Sequence, residues 1–309
     1  MLHIIHDNAD WLVKLKSELD NSKIKYKEWD LNNNLSCISQ IDINKAPPEG
    51  IYYNRVSASS HTRKARYSLE YCKVLLAWLS KWGRTIINSS NTLELEASKF
   101  IQYIELTRHN INVPTSYFGT NKKEIYDIAK TQFLDKKLSC IIKDNRGGSG
   151  ISVKLIHTID ELTNYLLDNN YIEPIDGLSV IQEYIVSPDN YITRMEFIDK
   201  EFVYAVRVDT SKGFHLCPAD KCSINTISKF KIEKNFKQGD TINLIEKCKN
   251  LIKNYKIDVC GMEFITDSKG KMYIYDINCN TNYNTSAEKV YGDSGLATRL
   301  LIDYFNRLK

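Results

Sequence analysis

The chain has 309 residues, 42% hydrophobic and 26% charged, with a formal net charge of +4. This length allows a substantial core divided among two or three subdomains, and the composition is that of a globular protein. The small basic excess is spread along the chain, which argues against a nucleic-acid partner. No apolar run approaches membrane-spanning length and the N-terminus lacks the features of a signal peptide, so we expect a cytoplasmic protein without a membrane partner. Eight scattered cysteines indicate reduced thiols, mostly in the core.

Short apolar segments alternate with helical patterns in the first part of the chain. This alternation predicts an α/β fold with a parallel sheet. Strands are predicted at 2–6, 23–29, 50–54 and 85–88, and helices at 9–19, 67–82 and 91–109. Asn91 and Glu94 have the spacing of a capping box at the start of the last helix. We therefore predict an N-terminal lobe over residues 1–112, ending in a linking helix.

A polar loop follows the third predicted strand and contains Arg55 and Ser57. Loops at the carboxyl ends of parallel strands commonly bind ligands. A solvated connection is an equally good interpretation of this loop.

A second α/β block is predicted over residues 113–186. Lys143 ends an apolar strand at 138–144 and is followed by the Gly-rich loop 145–150, whose glycines would let the backbone approach phosphates. A strand rather than a helix follows this loop, which argues against a Walker A loop or a dinucleotide fold. The remaining predicted elements are a helix at 122–133, a strand at 151–156, a helix at 159–167 and a strand at 178–185.

The last segment, 187–309, begins with two predicted strands, at 191–198 and 201–208. Arg194 and Arg207 stand on these strands and are expected to meet on one face of the hairpin. A mobile loop is predicted at 209–237. Helices are predicted at 241–255 and 296–308, around a hairpin of strands 259–265 and 271–278.

That hairpin contains candidate metal ligands. Strand alternation places Glu263, Asp276 and Asn278 on one face. Two carboxylates and an amide oxygen form a hard oxygen site suited to Mg²⁺ and a nucleotide's phosphates. The alternative is a charged, solvent-facing surface, which the apolar residues on both strands disfavour.

The ordered set of these residues resembles the ATP-grasp superfamily and, within it, the RimK-type ligases, over roughly residues 50–309. The resemblance implies that Lys99 and Lys143 hold ATP phosphates and that Arg194 and Arg207 face the transferred phosphoryl group or the carboxylate it activates. It also implies ATP and Mg²⁺, or Mn²⁺, as cofactors. By the same resemblance, the phosphate cover is Gly147, Gly148, Ser149 and Gly150, the adenine site is Gln182, Glu183, Tyr184 and Ile185, and the metal ligands are Glu263, Asp276 and Asn278.

The implied reaction joins a carboxylate to an amine through an acyl phosphate, with amino acids or short peptides as substrates. We expect Arg55 and Ser57 to bind the substrate. A small-molecule kinase and a non-catalytic ATP-binding module are the alternatives. Related ligases are often dimers or tetramers, and the sequence does not choose between these states.

The chain departs from the family pattern in two places. The family has Asp on the first metal strand and Glu-x-Asn on the second; here Glu263 faces Asp276-x-Asn278, which we interpret as a compensated exchange. The segment containing His215, Cys217 and Cys222 also differs from the basic segment of related ligases. Three zinc-type ligands without a fourth favour pocket lining or loop packing over a zinc site.

Overall fold

The computed structural model describes residues 1–32, 39, 41–63, 65–148, 150–211, 230–233 and 235–309. In this part of the chain, one parallel and two antiparallel sheets are packed with helices. The predicted α/β class with an N-terminal parallel sheet is therefore confirmed. Each sheet takes its strands from one of the predicted segments 1–112, 113–186 and 187–309, although the division into domains stays a prediction.

The N-terminal sheet is parallel and has the strand order β2-β1-β3-β4. Its central strands β1 and β3 are buried at every residue, as expected for strands covered on both faces. Short 3₁₀ turns at Ala9–Leu12 and Ser60–Arg63 follow β1 and β3. The strands are β1 Leu2–His6, β2 Tyr26–Asp30, β3 Ile51–Arg55 and β4 Thr85–Ile87, and the helices are α1 Val13–Asn21 and α2 Ser68–Lys81.

The predicted linking helix is two helices, α3 at Ser90–Ala97 and α4 at Lys99–Arg108. Ser98 between them is extended and caps α4, since its Oγ accepts a hydrogen bond from the Ile101 N–H. Asn145 of the Gly-rich loop accepts bonds from two further N–H groups of the first turn. The predicted capping box is wrong, because α3 begins one residue before Asn91, and its N-cap residue makes no side-chain capping bond.

The middle sheet is antiparallel, with the order β5-β8-β6-β7. Strand β5 was not predicted; it is a short edge strand that pairs with β8. The elements are β5 Ser116–Gly119, α5 Lys122–Gln132, a 3₁₀ turn Leu134–Lys136, β6 Cys140–Asp144, β7 Lys154–Ile156, α6 Ile159–Leu167 and β8 Ser179–Glu183.

The C-terminal sheet is antiparallel, with the order β11-β10-β9-β12-β13. Its elements are β9 Tyr191–Ile198, β10 Glu201–Asp209, β11 Phe230–Ile232, α7 Asp240–Tyr255, β12 Val259–Thr266, β13 Met272–Asn278, α8 Thr285–Tyr291 and α9 Leu296–Arg307. The loop predicted at 209–237 is partly wrong, because β10 extends to Asp209 and β11, at Phe230–Ile232, pairs with β10. Helix α8 was not predicted. Residues 212–229, with His215, Cys217 and Cys222, lie outside the described part of the chain, as does Cys37.

The core runs across the sheets. One buried cluster joins Ile4 and Tyr53 of the N-terminal sheet to Val206 of the C-terminal sheet and Phe305 of α9. The described cysteines are buried free thiols, as predicted: Cys72, Cys140, Cys248, Cys260 and Cys279. Among the helices that the structure describes, none has the length and apolarity needed to cross a bilayer.

Asn88, directly after β4, ties the N-terminal sheet to the C-terminal one. Its backbone is left-handed (φ 58°) and its side chain is buried. The Asn88 Oδ1 accepts bonds from the Asp258 and Val259 N–H groups, at 3.1 and 3.0 Å, and Nδ2 donates to the Val259 and Cys279 carbonyls, at 2.9 and 2.8 Å. This one side chain therefore substitutes for a strand ladder between the two sheets.

We expect Asn88→Ala to lower the free energy of unfolding by about 3 kcal/mol, because it leaves buried backbone groups without partners. Asn110→Ala is the matched control, since Asn110 is also left-handed (φ 56°) but exposed. The free energy of unfolding of the control should fall by only about 1 kcal/mol, because alanine is strained in the left-handed region. Urea unfolding of both variants measures the difference, and equal losses would contradict the bridging role.

Candidate functional site

A cavity of about 510 Å³ lies where the three sheets meet. This volume suits a small-molecule ligand. Fourteen predicted site residues line it: Ser57, Lys99, Lys143, Gly147, Gly148, Gly150, Gln182, Glu183, Tyr184, Ile185, Arg194, Glu263, Asp276 and Asn278. Ser149 lies outside the described residues, and Arg55 and Arg207 are not part of the lining.

Two buried lysines enter the cavity from different elements. Lys143, near the end of β6, donates from Nζ to Gln182 Oε1 at 2.9 Å, and its Nζ lies 5.6 and 5.7 Å from the ring centroids of Tyr103 and Tyr275. Burial, and then the charge of Lys99, lower the pKa of Lys143 to about 7. Lys99 opens α4 and donates to the Gly147 carbonyl at 2.8 Å. Both ammonium groups are therefore placed for an anionic ligand.

The Gly-rich loop is packed against the N-terminal lobe. Arg146 forms an ion pair with Glu70 of α2 at 2.7 Å. A Cβ at Gly148 would lie 3.4 Å from the Ser59 side chain, so the backbone comes close to the polar loop after β3. The loop thus lines the cavity and contacts α2 and the polar loop after β3.

The predicted metal ligands lie together as the alternation required. Glu263 and Asp276 are paired across β12 and β13, and Asn278 is paired with Gly261. Glu263 accepts bonds from Arg194 Nη1 at 3.2 Å and from the Tyr275 hydroxyl at 3.1 Å. Burial raises the pKa of Glu263, and Arg194 opposes that shift.

The chemistry of this set fits Mg²⁺. Glu263 and Asp276 supply carboxylates, and Asn278 supplies an amide oxygen, on one face of the hairpin. Among the described residues, no three or more His, Cys, Asp or Glu side chains form a group that could hold a metal ion. Mg²⁺ is usually bound by one or two carboxylates together with substrate phosphates and water, and this set has that composition.

Arg194 of β9 is the buried centre of the site. Its Nε donates to Glu196 at 2.7 Å and its Nη2 to the Thr281 hydroxyl, in addition to the bond to Glu263. Burial alone would lower the pKa of Arg194, but Glu196 and Glu263 raise it above its ordinary value. The guanidinium lies against Gly261, where an added Cβ would be 2.6 Å from Nε. Only glycine leaves room for this arrangement.

The expectation that Arg194 and Arg207 share a face is wrong. A bulge at Val203 shifts the pairing of β9 with β10, so that Arg194 is opposite Val206 and Arg207 is opposite Thr193. Without this extra residue the two arginines would be diagonal neighbours; a shift of one residue turns Arg207 to the other face. There it pairs with Glu233 at 3.0 Å. Its position gives no support to a catalytic role.

The Arg55 guanidinium is not free to bind a substrate. It donates to Asn280 Oδ1 at 3.0 Å, to the Thr281 carbonyl at 2.9 Å and to Asn282 Oδ1 at 2.7 Å. Arg55 is buried, and its fork holds the segment after β13. The expected substrate clamp is therefore corrected to a contact that positions this segment, while Ser57 does line the cavity.

Trp11, Glu96 and Asn280 are among the lining residues that were not predicted as site residues. Trp11 lies within the helix predicted at 9–19. Asn280 continues the alternation of Asp276 and Asn278 by one more step, a signal that was available in the sequence. Glu96 accepts bonds from the Cys279 N–H at 2.6 Å and the Ala58 N–H at 3.2 Å. Burial raises the pKa of Glu96 to about 7, although both bonds oppose the shift. No sequence signal distinguished Glu96 from a surface residue.

The strand predicted to bind adenine also borders the cavity. The Glu183 N–H donates to the Thr115 carbonyl at 2.8 Å, and the Tyr184 N–H to the Ser139 carbonyl at 3.3 Å. These bonds fix the backbone of the segment from Gln182 to Ile185 along the cavity. Its contact with adenine stays a prediction.

Comparison with solved structures identifies the fold as ATP-grasp. D-cycloserine synthetase DcsG superimposes with a TM-score of 0.69 at 14% identity, over 100% of both chains. D-alanyl-alanine synthetase A from Vibrio cholerae O1 biovar eltor gives 0.67 at 11% identity, over 99% of this chain and 97% of that one. ATP-grasp ligase PsnB, complexed with minimal precursor, Mg and ADP, gives 0.60 at 15%, over 98% and 97%.

The family follows from the sequence match. The model of the RimK-like ATP-grasp domain matches residues 97–301, and the chain belongs to that family. None of the curated proteins compared matches the chain. The resemblance inferred from the ordered residues is thereby confirmed.

We expect Mg·ATP binding to be accompanied by the uptake of up to about one proton at pH 8. Lys143, with a pKa near 7 in the free protein, is mostly neutral at that pH and must become charged to pair with phosphate. Affinity should therefore rise as the pH falls from 9 towards 7. Calorimetry in buffers of different ionisation enthalpy measures the uptake.

Lys143→Met should bind Mg·ATP weakly and without this proton uptake, whereas Lys154→Met, at an exposed lysine of β7, should behave as wild type. Uptake that persists in Lys143→Met would assign the proton to another group.

We expect Gly261→Ala to destabilise the protein by about 1–3 kcal/mol, because the new methyl overlaps the Arg194 guanidinium. In an Arg194→Ala background the same change should cost much less, since the overlapping group is gone. Such non-additivity is expected for residues in contact. Urea unfolding of the two single variants and the double variant measures it, and additive losses would show that the cost of the methyl does not come from overlap with Arg194.

Proposed function

We propose that the protein is an ATP-dependent carboxylate–amine ligase that forms an amide bond and releases ADP and phosphate, with an amino acid or short peptide as substrate. The observation that carries this proposal is the meeting of Lys99 and Lys143 with Glu263, Asp276 and Asn278 in one cavity. Membership of the RimK-like ATP-grasp family supports it.

In the first step of this reaction, a carboxylate oxygen attacks the γ-phosphorus of ATP. The bond from that phosphorus to the β-phosphate bridging oxygen breaks, so ADP leaves and an acyl phosphate remains. Lys99 and Lys143 would offset the phosphate charge. Glu263, Asp276 and Asn278 would hold Mg²⁺, which would supply further positive charge for the phosphate oxygens.

In the second step, the amine nitrogen attacks the acyl carbon. The carbon–oxygen bond to phosphate breaks, the amine loses a proton, and orthophosphate leaves. Arg194 lies beside Glu263, where it would stabilise negative charge on the reacting group. None of the described lining residues is His or Cys, so the lining offers no Cys–His or Ser–His pair for covalent catalysis. Positioning and charge stabilisation are the means that remain.

Neighbouring structures support the range of substrates considered. One is a D-cycloserine synthetase, one a D-alanyl-alanine synthetase and one a ligase bound to a precursor peptide. They differ from this chain at more than four residues in five, so the acid and the amine have to be found by experiment.

The test is a screen of amino acids and dipeptides in pairs, with ADP and orthophosphate measured separately. A ligase releases both in equal amounts and only when an acid and an amine are present together with Mg·ATP. ADP without orthophosphate indicates a kinase, and Mg·ATP binding without ADP under any pair would overturn the proposal in favour of a non-catalytic module.

Asp276→Asn should abolish ADP release while leaving the melting temperature within a few degrees, because the charge lost faces the cavity. Asp303→Asn, at an exposed aspartate of α9, is the matched control and should be fully active. Full activity of Asp276→Asn would remove this carboxylate from the metal site.

A further inference from the structure

Asn280 is a buried residue of the cavity wall that the ligase reaction described above does not use. It follows β13 two residues after Asn278, and its N–H donates to Asn278 Oδ1 at 3.1 Å. Its own Oδ1 accepts the bond from Arg55 Nε at 3.0 Å. Because a guanidinium can only donate, Oδ1 must face Arg55, and the orientation of the amide is fixed.

The other end of this amide has no partner. Asn280 is 4% exposed, and its Nδ2 makes no hydrogen bond to any part of the chain that the structure describes. A buried donor left unsatisfied costs about 1–3 kcal/mol, and such groups are rare in native proteins outside functional sites. Since Asn280 lines the cavity, a ligand with an acceptor atom is the group that would satisfy it.

The position of Asn280 indicates which ligand. The nucleotide side of the cavity is formed by the lysines and by the strand that ends at Glu183. Asn280 lies one alternation step beyond the metal ligands, tied through Arg55 to the N-terminal lobe, whose Ser57 and Ser59 line the same cavity. We propose that Asn280 Nδ2 binds the carboxylate that the enzyme activates, and that Arg55 is a positioning residue that orients this amide. The inference rests on the proposed ligase function only for the identity of the anion.

Asn280→Asp and Asn280→Ala separate this role from a structural one. Asp keeps an acceptor for Arg55 but loses the N–H donors and adds a negative charge towards the cavity. A carboxylate-binding role therefore predicts that Asn280→Asp binds the substrate at least tenfold more weakly than wild type does. It also predicts that Asn280→Asp binds the substrate more weakly than Asn280→Ala does. A purely structural role predicts the reverse, with Asp close to wild type and Ala impaired.

The measurement is binding rather than turnover. A mixture of the common amino acids and glycyl dipeptides is titrated by calorimetry onto the Mg·ADP complex of wild type and of each variant. Mg·ATP is titrated separately. Asn282→Ala is the control, because it also removes an acceptor of Arg55 but leaves Asn280 in place. We expect it to weaken carboxylate binding less than either change at Asn280, and all variants to bind Mg·ATP as wild type does.

Each outcome decides between the proposals. Weakened Mg·ATP binding in Asn280→Asp, equal to the loss for the carboxylate, would assign the donor to the γ-phosphate and overturn the inference. So would a wild-type protein that binds no member of the mixture, or an Asn280→Asp variant that binds it normally. Carboxylate binding that depends on Asn280 without ADP release from any pair would uphold the inference while the ligase proposal fails.

Discussion

The buried Arg194 guanidinium is the contact on which the site depends most. It is shared among Glu196, Glu263 and Thr281 and lies flat against Gly261. A buried cation is tolerated only when its partners are close and well oriented, so each of these groups fixes the others. The consequence for function is that Glu263 is held in one orientation before any ligand binds, which spares the protein from ordering it during the reaction.

The segment after β13 forms part of the cavity wall and is held in place by side chains from the N-terminal part of the chain. Its Cys279 backbone is bonded by Asn88 on one side and Glu96 on the other. The next three residues are bonded by Arg55, which belongs to the N-terminal sheet. A short irregular segment is thereby held by side chains from other elements in place of a strand ladder. This explains why buried polar residues from the N-terminal lobe are found around a site formed mainly by the other two.

The sequence predicted what depends on local periodicity and missed what depends on distant contacts. Alternation placed Glu263, Asp276 and Asn278 on one face, because the period of a strand is set by its own backbone. It failed for Arg207, because one extra residue at Val203 inverts the face of everything beyond it. The break between the two helices at Ser98 was missed because the main partner of Ser98, Asn145, is 47 residues away. The structural role of Arg55 was missed because its partners are more than 200 residues away.

The exchange of Glu and Asp relative to the family pattern can be argued from where the two residues lie. Glu263 is on the inner strand β12, where its longer side chain reaches Arg194 and the Tyr275 hydroxyl. Asp276 is on the edge strand β13, with its Oδ1 3.5 Å from Lys99 Nζ. The two residues are paired directly across the hairpin, so the shorter side chain on one strand is matched by the longer one opposite, and the total charge is unchanged. Charge stabilisation depends on the sum of nearby charges and on their distances. A site of this kind therefore depends on the combined charge and side-chain length of the two residues more than on the identity of either one.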